Sequence, residues 1–301
     1  MSEFNYSIII PHHNLPDLLQ RLLQSIPERN DTEIIIIDDN SSPEIVNFEK
    51  FPGLQRNDVK VIFSKKGGYA GYARNLGLQE AQGKWILFAD SDDFFNFCIS
   101  DILNEYINSD ADIVYFKGSS LDTDYYTLSN RCDSHNKYID LWEANPSKSS
   151  LCLRYLFGEP WCKLIKRYLI INNSIKYEES SIHNDTEFSY KVGFYADKIL
   201  VDKRALYCIT TRSGSVSKVL TESKKIERIK TFGKSELFFK QKHIPISPLL
   251  HYKQLILLLI TNRITYKEGF SALKEIGFSA IHIYSSMILY PIYALFSKMK
   301  Y

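Results

Sequence analysis

The sequence predicts an α/β protein with a mostly parallel central sheet and helices on both faces. Short β-type runs alternate with amphipathic helical segments through the first half of the chain. The run Ile34-Ile35-Ile36-Ile37 is apolar on both faces, as a central parallel strand must be. Polar clusters at residues 11–14, 38–42 and 90–93 each follow the carboxyl end of a strand. Right-handed crossovers bring such ends to one edge of the sheet, where they can converge on one ligand.

The elements follow in order. Ser7 to Ile10 reads as the first strand. Leu15, Leu18, Leu19, Leu22, Leu23 and Ile26 recur at helical spacing, with Asn14 near the cap and Pro16 in the first turn, so a helix packs on the sheet. The second strand, Ile34 to Ile37, runs into Asp38-Asp39-Asn40-Ser41-Ser42. Val59 to Phe63 is the third strand, Gly71 to Ala81 a helix, Trp85 to Ala89 the fourth strand and Asp112 to Phe116 the fifth. After about Lys218 the character changes to helix-like segments, Thr221 to Gln241, Leu249 to Asn262, Tyr266 to Ile276 and Ser279 to Phe296, with Pro245 and Pro248 separating the first two. There are no repeats or low-complexity tracts.

Composition narrows the function. With 301 residues, 45% of them hydrophobic, the chain can bury the core of one large or two modest domains. Its 37 Lys and Arg against 35 Asp and Glu leave +2, without the basic field on which nucleic-acid binders rely. The five cysteines are odd in number and lack a C-x-x-C pair, the pattern of reduced thiols in a cytosolic protein. Met1 to Tyr6 has neither a basic region nor an apolar stretch of the secretory kind, so the active site is expected to face the cytoplasm.

Chemistry concentrates in Asp90-Ser91-Asp92-Asp93, three carboxylates at a strand tip. Carboxylates so crowded call for a cation, and Mg²⁺ or Mn²⁺ with positions open to phosphate oxygens answers that call. The competing reading is an Asp-rich turn leading into the helix near Ser100. In Gly67-Gly68-Tyr69-Ala70-Gly71-Tyr72-Ala73-Arg74-Asn75, glycines could admit a ligand close to the backbone, and Arg74 could meet a phosphate or form an ordinary surface ion pair. Lys66 takes the place of the first glycine, so this is not the G-x-G-x-x-G of a dinucleotide fold.

Four segments, Ser7 to Asn14, Ile36 to Ser42, Ala73-Arg74-Asn75-Leu76-Gly77 and Asp90 to Asp93, together resemble the family 2 glycosyltransferases of the GT-A fold in order and spacing. The resemblance continues through Pro160 to Leu164, His183 to Phe188 and Thr211 to Ser217, covering about the first 218 residues. It implies a catalytic domain at 1–218, with a nucleotide-binding half at 1–118 and an acceptor-binding half at 119–218, followed by a helical region at 219–301. It also implies a nucleotide-diphosphate-sugar donor, a divalent metal (Mn²⁺ or Mg²⁺), and transfer to an acceptor hydroxyl with inversion at the anomeric carbon.

Carried over residue by residue, the resemblance makes Asp39 the acceptor of the uracil imide hydrogen bond, with Pro11, His13 and Asn14 in the segment along the base. His13 stands where Tyr is frequent, and its imidazole still offers a π face and a hydrogen bond to uracil. Asp38 is a second ribose or base contact or a structural turn acid. Asp90 and Asp92 match the D-x-D acids: Asp90, with Ser91 beside it, on the ribose or indirectly on the metal, and Asp92 on the metal that bridges both phosphates. Asp93 is a further ligand, a sugar contact or a helix cap. Arg74 and Arg212 would neutralise the pyrophosphate, Arg212 from a Ser/Gly-rich segment similar to the loop that closes over donor in this family. Asp185 matches the general base, at the start of a helix in which Phe188, Val192 and Tyr195 would form the buried stripe. Where relatives carry Glu-Asp, this chain has Asn184-Asp185, a neutral neighbour that bears on pH optimum and acceptor.

Trp142, Trp161 and the tyrosines between Ser119 and Lys148 are candidates for sugar stacking in an acceptor loop. The apolar, tyrosine-rich run from Ile281 to Phe296 ends in Lys298 and Lys300 and is interrupted by His282, Ser285, Ser286 and Pro291. It reads either as a monotopic attachment to the cytoplasmic face of the inner membrane, with a lipid-linked saccharide as acceptor, or as a helix packed on the catalytic domain. No Q-x-x-R-W motif of processive synthases is present, so addition of one sugar per encounter is expected. The reading is a metal-dependent, inverting transfer of a hexose or N-acetylhexosamine from a UDP-sugar during surface-polysaccharide assembly. The alternatives are a sugar-phosphate nucleotidyltransferase, which would need a glycine-rich basic loop in place of Pro11-His12-His13-Asn14, and a non-catalytic nucleotide-sugar-binding scaffold.

Overall fold

The computed structural model of the chain describes residues 4–125, 127–212, 221–246 and 250–298. Two compact units divide it, Met1–Glu179 with Asn184–Ser215, and Ser180–His183 with Val216–Tyr301.

In the first unit the elements run β1 (Tyr6–His12), α1 (Pro16–Gln24), β2 (Thr32–Asp39), β3 (Val59–Ser64), α2 (Tyr69–Glu80), β4 (Trp85–Phe88), β5 (Phe94–Phe95) and α3 (Ile99–Tyr106). They continue through β6 (Ile113–Asp122), β7 (Thr127–Leu128), α4 (Asp133–Ala144), α5 (Pro146–Tyr155), β8 (Lys163–Lys166), α6 (Arg167–Asn172), α7 (Thr186–Tyr195) and β9 (Ile199–Thr211). The strands form one sheet in the order β3-β2-β1-β4-β8-β6-β9-β5, with β7 on β6. The expected parallel half is β3-β2-β1-β4. Beyond it the sheet is mixed: β8 joins β4 and β6 antiparallel, β9 runs parallel to β6, and β5 is antiparallel to β9.

β1 and β2 are buried along their whole length because they lie inside the sheet with helices against them, which is why their sequences carry no alternation. Pro11 lies within β1 without costing a sheet bond. β4 pairs only with Tyr6 to Ile9, and Ala89 N–H donates to the Ile9 carbonyl, so Ile9 faces β4. Two residues on, the position lacking an N–H faces the same side, past the end of β4. The early end of β4 also leaves its continuation, Asp90 to Asp93, free to turn away from the sheet.

Two glycines of α2 permit close packing. A Cβ on Gly77 would stand 2.4 Å from Ile9 Cγ2 on β1, and one on Gly71 only 1.9 Å from the Glu178 carbonyl oxygen. The Gly71 position is therefore used to seat the segment before Asn184, and it meets protein backbone there rather than a ligand.

The second unit contains α8 (Glu222–Gln241), α9 (Leu250–Thr261), α10 (Arg263–Glu275) and α11 (Ala280–Lys298). Ile229, Tyr252, Leu255, Leu258, Leu273, Phe278, Ile283 and Met287 form its core. Glu236 is buried beside His251 (2.9 Å), Lys240 (2.5 Å) and His282 (3.2 Å). His282 also meets Tyr252 at 3.0 Å, so the polar interruption of the last apolar run serves this inner cluster. Among the described residues no helix is long and apolar enough to cross a membrane. Pro248 and Lys300 lie outside the described residues.

Candidate active site

Two loops at the carboxyl ends of β1 and β2 are stitched together by side chains. Leu15 N–H donates to His12 Nε2 (3.1 Å), which assigns the ring proton to Nδ1, and Nδ1 donates to Asp38 Oδ1 at 2.7 Å. Burial pushes the Asp38 carboxyl up, but donors from His12 and Ser41 outweigh it and hold the group below its ordinary value. Asp38 and His12 are thus buried framework. Asn14, with a left-handed backbone (φ 57°), accepts from the Ser42 amide through Oδ1 at 2.8 Å, and its own amide donates to Ser41 Oγ at 2.8 Å. The helix cap is Leu15 rather than Asn14, because the Asn14 side chain is spent on binding the second loop. His13 is exposed, its Nδ1 3.0 Å from the Asp39 carbonyl. Asp39 Oδ1 accepts from the Gly68 amide at 2.8 Å, which sets the glycine segment ahead of α2 against the same loop.

The acidic loop after β4 is held by distant residues. Asp90 N–H donates to Tyr207 Oη (2.8 Å), Thr210 N–H to Asp93 Oδ1 (2.7 Å) and Thr210 Oγ1 to the Asp92 carbonyl (2.6 Å); Arg21 of α1 donates to that same carbonyl. Tyr207 and Thr210 belong to β9, which the two-residue β5 aligns beside the loop. Arg212, just past β9, places Nη2 3.6 Å from Asp92 Oδ2. Ser91 is buried. Desolvation, then repulsion from Asp90, raises the Asp92 carboxyl, and Asp93 is raised well above its ordinary value by burial and by both neighbours.

Arg74 joins this loop to the start of α7. Its side chain is almost fully buried, Nη2 pairing with Asp90 Oδ1 at 2.5 Å and Nη1 donating to Asn184 Oδ1 at 3.0 Å. Asp185 stands at the cap position of α7 without a capping bond of its own. Desolvation pushes its carboxyl up to about 6, with Arg74 opposing and Glu159 and Asp90 reinforcing. Such a value suits a base that must be ionised yet able to take a proton near neutral pH.

The floor beside Asp185 is built by Lys163. Its buried ammonium donates to the Phe157 and Glu159 carbonyls (2.7 Å each) and to Ser189 Oγ (3.3 Å), one turn into α7. Burial brings it down to about 8.

The acid loop fits a divalent ion. Three carboxylates are crowded in four residues, and two of them are destabilised as anions by burial and by one another. Among the described residues no three His, Cys, Asp or Glu side chains are grouped to hold a metal by themselves. A magnesium-type ion needs only one or two carboxylates when substrate phosphates complete its shell.

Four expectations are revised. Arg74 forms a buried ion pair with Asp90 and a bond to Asn184, rather than the surface ion pair that was its alternative. Phe188 and Val192 are buried but Tyr195 is exposed, its place taken by Tyr190 and Gly193, because α7 packs a different arc of its surface. The stretch from Ser119 to Lys148 is mostly strand and helix rather than a loop. Trp161 is 3% exposed and packed on His135, Phe157 and Tyr207, so it is core; Tyr125 is exposed, and Tyr126 lies outside the described residues, as do residues 213–217 after Arg212. Tyr207, Thr210, Arg21 and Lys163 were not singled out as site residues from the sequence. The partners of Tyr207, Thr210 and Arg21 are remote in the chain. Lys163 falls in a segment of the resemblance and bonds the nearby Phe157 and Glu159 carbonyls, but a lysine before a short apolar run gives no sign that its ammonium is buried.

Residues 7–146 match the family described as Glycosyl transferase family 2. The chain is similar to the cholesterol galactosyltransferase of Borreliella burgdorferi, with 25% identity over 299 residues, 91% of this chain and 81% of that protein. It is similar also to the poly(ribitol-phosphate) beta-N-acetylglucosaminyltransferase TarS of Staphylococcus aureus, with 26% identity over 220 residues, 69% of this chain and 36% of that one. The crystal structure of S. aureus TarS 1–349 in complex with UDP-GlcNAc matches with TM-score 0.61 and 22% identity over 89% of this chain and 79% of that chain, a likeness of fold.

Proposed function

Because this chain is a family 2 glycosyltransferase of the GT-A fold, we propose that it moves one hexose or N-acetylhexosamine from a UDP-sugar to the hydroxyl of a saccharide or lipid-linked saccharide, with inversion. The observation that carries the reading is the Arg74 bridge, which joins the acidic loop of the donor side to the segment bearing Asp185. The UDP donor is supported by the UDP-GlcNAc complex of the fold neighbour and by Asp39 at the edge of the first two loops.

In this reading residues 1–118 take the nucleotide and 119–218 the acceptor. Pro11, His13 and Asn14 border the base, and Asp39 reads its imide. Asp90 and Ser91 lie toward the ribose. Asp92, with Asp90, would hold a Mn²⁺ or Mg²⁺ ion, which when bound supplies Lewis-acid stabilisation to the departing diphosphate. Arg212 sits by Asp92 and adds positive charge on the same side. Asp185 takes the acceptor hydroxyl proton opposite the leaving group. Arg74 is a positioning residue that keeps Asp90 and Asn184 in register. The assembly of surface polysaccharide at the cytoplasmic face of the inner membrane is the setting we assign.

Calorimetric titration of UDP, GDP and CDP, with and without Mn²⁺, on the wild-type chain and Asp92→Ala tests the reading. Metal-enhanced binding of UDP over the other two, abolished in the variant, is expected. No binding by folded protein would refute the donor site, and selective GDP or CDP binding would refute the uridine assignment.

A further inference from the structure

We infer that the outer face of α11 docks the second unit on an anionic lipid surface, lying in the interface rather than crossing it. The inference rests on the membrane setting proposed above and supplies the surface and the lipid chemistry.

α11 is apolar on two opposite faces. Ile283 and Met287 point into the helical core. Ile281, Tyr284 and Ile288, at spacings of three and four residues, share the other face and are 83%, 53% and 74% exposed. An amphipathic helix that only packed on its own unit would carry polar residues there.

Charge identifies the occupant. Residues 219–301 hold thirteen Lys and Arg against five Asp and Glu, a net +8, leaving −6 on residues 1–218. The overall +2 hides this division. On α10, which packs with α11, Arg263, Lys267 and Lys274 are exposed alongside Glu268 and Glu275, so the cationic excess is that of the whole unit. Apolar residues at a helix face together with a cationic unit match the two-part affinity of interfacial helices for acidic lipid headgroups. A second copy of this chain would instead bring +8 against +8. The Tyr at position 284 suits the boundary between headgroup and acyl chain.

The test is co-sedimentation of the full chain with vesicles of phosphatidylcholine alone or with about one-third phosphatidylglycerol, for wild type and Ile281→Asp/Ile288→Asp. Both substitutions fall at exposed positions outside the catalytic machinery, and melting curves confirm folding. Binding to the anionic vesicles is expected, at least about 10-fold weaker to neutral ones and at least about 10-fold weaker in the variant, and reduced by salt. Equal binding to both vesicle types, or undiminished binding by the variant, overturns the inference. So does an absence of vesicle binding, including the case where the variant instead abolishes self-association. UDP titration of the same samples separates the two proposals: intact UDP binding with no lipid binding defeats this one alone.

Discussion

Replacing Asp185 by Asn should make the protein more stable and nearly inactive at once. Desolvation raises the Asp185 carboxyl from an ordinary 3.8 to about 6. Between those values the folded chain binds more protons than the unfolded one, so stability falls as pH rises through this window and is flat above it. The ionised carboxylate therefore costs the fold up to about 3 kcal/mol at neutral pH, from roughly two pK units at about 1.4 kcal/mol each. Asn carries no such charge. Wild type and variant should unfold at similar urea concentrations near about pH 4, and the variant should gain up to about 3 kcal/mol by about pH 8. Tryptophan fluorescence is the appropriate probe, since Trp85, Trp142 and Trp161 all lie in the unit that holds Asp185. Turnover should fall by about 10²- to 10⁴-fold with UDP affinity retained. A variant no more stable at high pH, or a gap that does not depend on pH, would refute the placement of a desolvated carboxylate here.

Further tests address the surrounding frame. Gly71→Ala puts a Cβ 1.9 Å from the Glu178 oxygen and should cost about 1–3 kcal/mol in urea unfolding; a neutral result would show that the segment before Asn184 is not pinned by α2. Tyr207→Phe removes the acceptor of the Asp90 amide and should destabilise by about 1–3 kcal/mol while weakening metal-enhanced UDP binding, and unchanged titrations would count against β9 as the support of the acid loop. Arg74→Met removes the charge that favours ionised Asp185, so the acid limb of the pH–rate profile should move above about 6. An unmoved limb would disconnect Arg74 from the base.

Much of the parallel half and of the proposed donor side is legible because it is local. Each of β1, β2 and β4 is a short apolar run that ends in a polar cluster, and the pattern alone places those clusters at one edge. In the mixed half only β6 was legible, as the run Asp112 to Phe116. Lys163–Lys166 is four residues with a lysine at each end, and it becomes a central strand only because β4 and β6 flank it. Asp185 was singled out through its motif, whereas its electrostatics depend on burial and then on Arg74 and Glu159, neither of them near it in sequence. Arg74 itself was visible as a cation beside glycines, but its direction was decided by Asn184, 110 residues away.

One guanidinium serving Asp90 and Asn184 together means that the acidic loop and the start of α7 are not interchangeable cassettes. Grafting the segment that bears Asn184 and Asp185 from a relative, as one would to import a new acceptor preference, also imports a new partner for Arg74. A graft carrying Glu at 184 would give that arginine two carboxylates to share, drawing it from Asp90 and altering the acidic loop though none of its own residues had changed. Acceptor engineering in this chain has to begin by deciding what Arg74 will hold.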